Sequence, residues 1–348
     1  MKQFNLPWHQ STHYWISIYP KDKIFPPALV PLIEQIGMHR QSDGSMAIRT
    51  ERKWKLVWDV IEGNIRQADV ANAVEVMVTA GEMIPATKAA CDGKTVVNPA
   101  EIAGSMWVGD ALLDDRIMCY LQPVMTAKGQ VFGYESFARV RRTDGTVTAG
   151  YEIVNASKAL GIEHTIDRHL HVQAITTFAS SEFNGFLFVN FFPGFIHRPN
   201  IYLEGLSETA KRFGVLSKHI VLDFTKSETP HDLKHIKNVA EYSRSCGYSI
   251  AFDDITSVEV TRKLVHEVRP DFVKIDMNLV QQIVDPKRHE QVRTIVGLVH
   301  DSGGTVIAEG VESVEIYEIL KLLGVDLFQG YLFSPPVPVE AMLKKSGS

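Results

Sequence analysis

The sequence predicts an α/β chain: a (β/α)8 TIM-like barrel preceded by a smaller N-terminal domain of α+β or mostly helical character. Three observations carry that prediction. Beyond residue 110, eight short apolar runs alternate with helix-length amphipathic segments, as βαβ units and a parallel sheet require. The stretch 111–348 is close to the roughly 250 residues such a barrel needs. The Gly-rich turn after a first strand, which would favour an open doubly wound sheet, is absent.

Taken in order, residues 1–110 form one segment that holds all five tryptophans (Trp8, Trp15, Trp54, Trp58 and Trp107) and a Pro-rich stretch at Pro20, Pro26, Pro27 and Pro31. Val57, Val60, Ile61, Ile65 and Val70 recur at roughly helical spacing, which predicts a helical region over 52–90 that Pro85 interrupts. The tryptophans read as packing in a small core. From 111 onward the strand candidates are 118–122, 133–139, 186–190, 220–224, 249–253, 272–275, 305–308 and 326–329. Helices are expected at 151–160, 166–178, 203–213, 231–246, 258–268, 287–300 and 313–323.

Composition narrows the function. Hydrophobic residues make up 45% and charged residues 22%, an ordinary globular balance. A formal net charge of -5 argues against a nucleic-acid polymer as partner. Three widely spaced cysteines (Cys91, Cys119 and Cys246) form no disulfide framework or zinc ribbon, and fit a reducing compartment. No stretch is apolar enough to span a bilayer, and the first nine residues lack an export pattern. The expectation is a cytoplasmic protein.

The informative feature is what ends the apolar runs. They run into Asn190, Asp223, Asp253-Asp254, Lys274, Glu309 and Gln329, and Glu135 sits inside another strand candidate. In a barrel the C-terminal strand ends meet at one mouth. A single acid after a strand is usually a helix cap, but carboxylates and amides closing most of the strands point to a site. Their oxygens suit Mg2+ or Mn2+, and a two-ion arrangement can clamp a phosphodiester. Lys274 would add charge near a phosphate or the attacking water, and Glu309 could accept a proton.

At these residues the chain resembles the EAL-domain cyclic-di-GMP phosphodiesterases. The resemblance is carried by Gln122-Pro123, Gly133-Tyr134-Glu135-Ser136-Phe137, Arg139, Val189-Asn190, Asp223-Phe224-Thr225 and Asp253-Asp254. It continues through Lys274-Ile275-Asp276, Ala308-Glu309-Gly310-Val311-Glu312 and Gln329-Gly330-Tyr331-Leu332-Phe333, in order over about 111–345. It implies a barrel with one reversed strand that hydrolyses cyclic di-GMP to linear pGpG in bacterial signalling. By that resemblance Glu135, Asn190, Asp223 and Asp253 are metal ligands, with Asp254 serving a second ion. Lys274 orients water and phosphate, Glu309 is the general base and Glu312 a supporting carboxylate. Gln122 and Arg139 contact the dinucleotide, and Gln329 helps hold the metal–water network. A homodimer through the barrel is implied, and residues 1–110 take the place of a regulatory or sensory domain whose ligand or protein partner is unknown.

Three positions depart from the family pattern. The name-giving triplet reads Glu-Ser-Phe. A Glu-x-Thr-Glu motif reads Asp223-Phe224-Thr225-Lys226, shortening one carboxylate and reversing one charge. The Phe-Gly-Thr-Gly loop reads Ile255-Thr256-Ser257-Val258, so any φ > 0 there becomes costly. A degenerate domain that binds cyclic di-GMP without cleaving it, or acts as a protein-interaction module, is the alternative these departures raise. Of the remaining motifs, His231 and His235 (i, i+4) read as a solvated helix face, and His164, His169 and His171 as surface or packing residues. Cys119 reads as a buried apolar thiol.

Overall fold

The computed structural model describes residues 14–20, 25–41, 45–50, 74–80, 99–160, 162–181, 183–196, 199–225 and 233–346. The chain divides into two compact units: Met1–Arg116 with Val140–Ile166, and Ile117–Arg139 with Asp167–Ser348.

In the first unit, β1 (Tyr14–Pro20), β2 (His39–Arg40), β3 (Met46–Thr50) and β4 (Val74–Ala80) form an antiparallel sheet in the order β2-β3-β1-β4. Ile18, Met46 and Ala47 are buried, as is Ile33 of helix α1 (Val30–Gln35). The expected helix over 52–90 is corrected at 74–80, which is strand. There Val74, Val76 and Val78 alternate with Glu75, Met77 and Thr79, and β-branched residues with period two pair along β1 more readily than they wind into a helix. The rest of that expected helix, Pro85 included, lies outside the described residues. Helix α2 (Pro99–Leu113) packs against α3 (Gly150–Leu160), and Arg142 lies 3.5 Å over the Trp107 ring.

The second unit is the barrel. Its strands are β5 (Ile117–Thr126), β6 (Val131–Arg141), which is followed by the short β7 (Val147–Ala149), β8 (Phe186–Phe191), β9 (Ile220–Phe224), β10 (Ser249–Ile255), β11 (Phe272–Ile275), β12 (Thr305–Ala308) and β13 (Leu327–Phe328). Around the ring the order is β5-β13-β12-β11-β10-β9-β8-β6, and pairing of β5 with β6 closes it. From β6 through β13 the neighbours are parallel, and β5 runs antiparallel to β13. This is the (β/α)8 architecture with its reversed strand.

Between the strands lie α4 (Glu163–Ser180), α5 (Pro199–Arg212), α6 (Leu233–Ser245), α7 (Val258–Glu267), α8 (Met277–Gln281), α9 (Pro286–Asp301) and α10 (Val314–Leu322), and α11 (Val339–Ser346) follows β13. Strands such as β9, buried at every residue, read as continuous apolar runs because helices cover the outer face and side chains fill the inner one. Side-chain caps start the helices: Ser257 for α7, Asp276 for α8, Asp285 for α9 and Ser313 for α10. Among the described residues no helix is long and apolar enough to cross a membrane.

Candidate functional site

Strand geometry builds the site. Side chains alternate across a strand, so residues two apart face the same way. Val124, Phe188, Val221, Ala251, Phe272, Ile307 and Leu327 pack into one apolar layer inside the barrel. Two residues toward the C-terminal ends, the same rows carry Asn190, Asp223, Asp253, Lys274, Glu309 and Gln329. On the reversed β5 the step runs backward, from Val124 to Gln122. One step along each strand therefore separates an apolar plug from a charged mouth.

Lys274 is the centre of that mouth, with its side chain 1% exposed. Its Nζ lies 2.6 Å from Glu309 Oε1, 2.8 Å from Asp223 Oδ2, 2.9 Å from Glu135 Oε2 and 3.3 Å from Asp253 Oδ1. An ammonium has three protons to give, and four carboxylates face it. Asp223 Oδ1 is left buried with no hydrogen-bond partner. Asp253, Asp254 and Glu309 each offer an oxygen within 4.8 Å of the others.

Amides hold the carboxylates in place. Gln329 Nε2 donates to Glu135 Oε2 at 2.8 Å and to Gln122 Oε1 at 2.9 Å, while Gln122 Nε2 donates to the Ser334 carbonyl at 2.8 Å. Asn190 Nδ2 faces Glu135 Oε1 at 3.4 Å and the Ser136 carbonyl at 3.3 Å. A β-bulge in the β10–β11 ladder between Phe252 and Ile255 contains Asp253 and Asp254. Asp254 takes φ 56° there, a left-handed conformation that Asp tolerates better than branched residues do. None of residues 255–258 has a positive φ, so the missing glycines impose no backbone strain. Instead Ile255 pairs with Ile275, and the Thr256 carbonyl accepts from Gln291 Nε2 at 2.5 Å.

Two expected residues stand apart from this cluster. Arg139 is half-buried, with its guanidinium 5.5 Å from the Tyr120 ring centroid and donating to the Ala138 carbonyl. Glu312 is exposed, and no hydrogen bond or ion pair joins it to the cluster. Lys226 and His231 lie outside the described residues, and His235 Nε2 sits 3.0 Å from the Pro193 carbonyl.

Burial dominates the electrostatics. It pushes the Asp223 and Glu309 carboxyls well above the usual range, with Lys274 pulling the other way and neighbouring carboxylates adding to the rise. For Lys274 burial opposes the charge, but Asp223, Asp253, Glu135 and Glu309 outweigh it and hold the amine well above the lysine range. Burial also pushes the Cys119 thiol up to about 12, so it is no nucleophile at neutral pH.

Behind the mouth lies a group that the sequence reading missed: Asp167 and His171 of α4 with Tyr202 of α5, linked to the end of β8. The available signal was an Asp–His pair at i, i+4 on one helix face.

Residues 107–336 match the EAL domain family, about two thirds of the chain. The chain belongs to the EAL domain family. This EAL domain is 22% identical over 238 residues to the cyclic di-GMP phosphodiesterase NbdA of Pseudomonas aeruginosa, covering 67% of this chain and 30% of that protein. It spans about a third of the length of the curated relatives it matches. Among solved structures it resembles a standalone versatile EAL protein from Vibrio cholerae in its c-di-GMP-bound form, with 28% identity, a TM-score of 0.57, and coverage of 64% of this chain and 92% of that one. It also shares its fold with the YkuI protein of Bacillus subtilis in complex with c-di-GMP and calcium, at 21% identity and a TM-score of 0.59, covering 66% of this chain and 58% of that one.

Proposed function

We propose that this EAL domain hydrolyses cyclic di-GMP to linear pGpG with divalent cations bound at the barrel mouth. The observation that carries the reading is the convergence of four carboxylates on the single buried Lys274. With Asp254 the mouth holds five carboxylates against one ammonium, a surplus of negative charge that bound cations offset. The unpartnered Asp223 Oδ1 and the Asp253–Asp254–Glu309 oxygens are hard donors suited to Mg2+ or Mn2+.

In this reading Glu135, Asn190, Asp223 and Asp253 hold one ion and Asp254 serves a second. Bound there, such ions would supply water acidification and neutralisation of phosphate charge. Lys274 orients the water and the scissile phosphate. Glu309 takes the water's proton as its oxygen bonds to phosphorus, and burial makes that carboxylate a stronger base than an exposed one. The P–O3′ bond breaks, the 3′-oxygen takes a proton from solvent, and the ring opens to the linear dinucleotide. Gln122 and Gln329 keep Glu135 in register, Glu312 is a supporting carboxylate, and Arg139 binds a phosphate by charge-assisted hydrogen bonds.

Single-turnover assay of the purified protein with cyclic di-GMP and Mn2+ tests this. Formation of pGpG supports it. Binding without pGpG overturns it and makes the domain a receptor.

A further inference from the structure

We propose that His171 is a positioning residue for Asn190, acting through the Asn190 backbone carbonyl to aim that side chain into the ion site. The inference rests on the reading of Asn190 as an ion ligand. It starts from burial: His171 is 2% exposed and Asp167 5%, one turn apart on α4, where a polar side chain is costly unless it is hydrogen-bonded. What they touch explains their presence. His171 Nε2 lies 2.8 Å from the Asn190 carbonyl oxygen. A carbonyl only accepts, so Nε2 carries a proton and donates it.

The other ring nitrogen, Nδ1, lies 2.6 Å from the Tyr202 hydroxyl, which donates to Asp167 Oδ2 at 2.5 Å. The imidazole also stacks on Phe191, with centroids 5.6 Å apart. The ring is thus fixed on both edges and one face. The Nε2 proton is left to hold the carbonyl of Asn190, the penultimate residue of β8, whose pairing with β9 ends at Phe191. With that peptide held, the Asn190 amide faces Glu135 and the Ser136 carbonyl. Without it, the buried Asn190 carbonyl loses that donor and the strand end that aims the amide is less firmly held.

The test uses the full chain, with Mn2+ affinity measured by calorimetry in the absence of nucleotide and kcat and KM measured on cyclic di-GMP. His171→Leu removes the donor and is expected to weaken Mn2+ binding by about 10–100-fold, the range for residues that orient metal ligands, with KM unchanged at saturating Mn2+. His171→Gln keeps an amide donor near the Nε2 position and restores most of the affinity. Should His171→Leu fail to fold, Tyr202→Phe, which removes the hydroxyl beside Nδ1 and leaves only the 3.6 Å contact with Asp167, gives a smaller loss of Mn2+ affinity. A lowered melting temperature with wild-type Mn2+ affinity in these variants overturns the proposal, as does a Gln variant as defective as Leu. Asn190→Ala separates the two readings. If it weakens Mn2+ binding and His171→Leu does not, the positioning role alone falls; if neither does, Asn190 is not a ligand and both fall.

Discussion

The barrel interior contains two layers that differ by one step along each strand, and they are held by opposite physics. The lower layer, from Val124 to Leu327, is apolar and its seven side chains need only fill space. Its energy comes from area removed from water and from packing without voids. The upper layer is a buried ion cluster, in which every group is costly alone and tolerable only because of its neighbours. The lower layer secures the barrel so that the upper one can be kept in an arrangement no free chain would adopt.

Substitutions can break or sharpen that contrast. The largest effect is expected from Lys274→Met, which strands four carboxylates in a dry pocket. It should cost about 3–5 kcal/mol in denaturant unfolding of the ion-free protein, and saturating Mn2+ should recover part of that loss. Phe272→Ala, one step below, removes a ring that packs 5.3 Å from Phe188 and 5.8 Å from Phe132. It should cost a similar 3–5 kcal/mol, but Mn2+ should recover no more than it adds to the wild type. An equal response to Mn2+ in the two variants would erase the distinction between layers.

Glu309→Gln should lower turnover by about 10²–10⁴-fold while cyclic di-GMP binding is kept; lost binding would instead make Glu309 part of the ligand pocket. Asp223→Asn probes the pH dependence. Burial raises the Asp223 carboxyl in the fold, so the folded state holds that proton more tightly than the unfolded chain does. The wild type therefore loses stability relative to Asp223→Asn as pH rises above the ordinary carboxylate value of about 4. Parallel stability curves for the two proteins would contradict this. The smallest effect belongs to Ser257→Ala, which removes the α7 cap and should cost about 1 kcal/mol in a melt, leaving Mn2+ affinity unchanged.

Most of the barrel was legible because the same residues that end each apolar run also form its mouth. Ile220-Val221-Leu222 reads as strand, and Asp223 after it reads as both boundary and site. Legibility failed where the deciding partner lay far along the chain. Val74–Ala80 carries valines near helical spacing upstream, and only pairing with β1, some sixty residues earlier, makes it a strand. Helix α8 is five residues long, too short for any periodicity to show. His171 reads as a surface or packing histidine in isolation, since nothing local reveals that the carbonyl of Asn190 waits across the core.

The turn after Gln329 brings Gly330 against the Val311 backbone. A Cβ at Gly330 would lie 2.1 Å from the Val311 carbonyl oxygen, so no side chain fits between the two backbones. Val311 N donates to the Gln329 carbonyl, and Leu332 N to that of Val311, each at 3.0 Å. The loop bearing Glu309 and the turn bearing Gln329 are thereby clasped into one body. Whatever lifts the exposed Tyr331 pulls on Glu309 as well, so the grip on Glu135 and the Glu309 carboxylate move together or not at all.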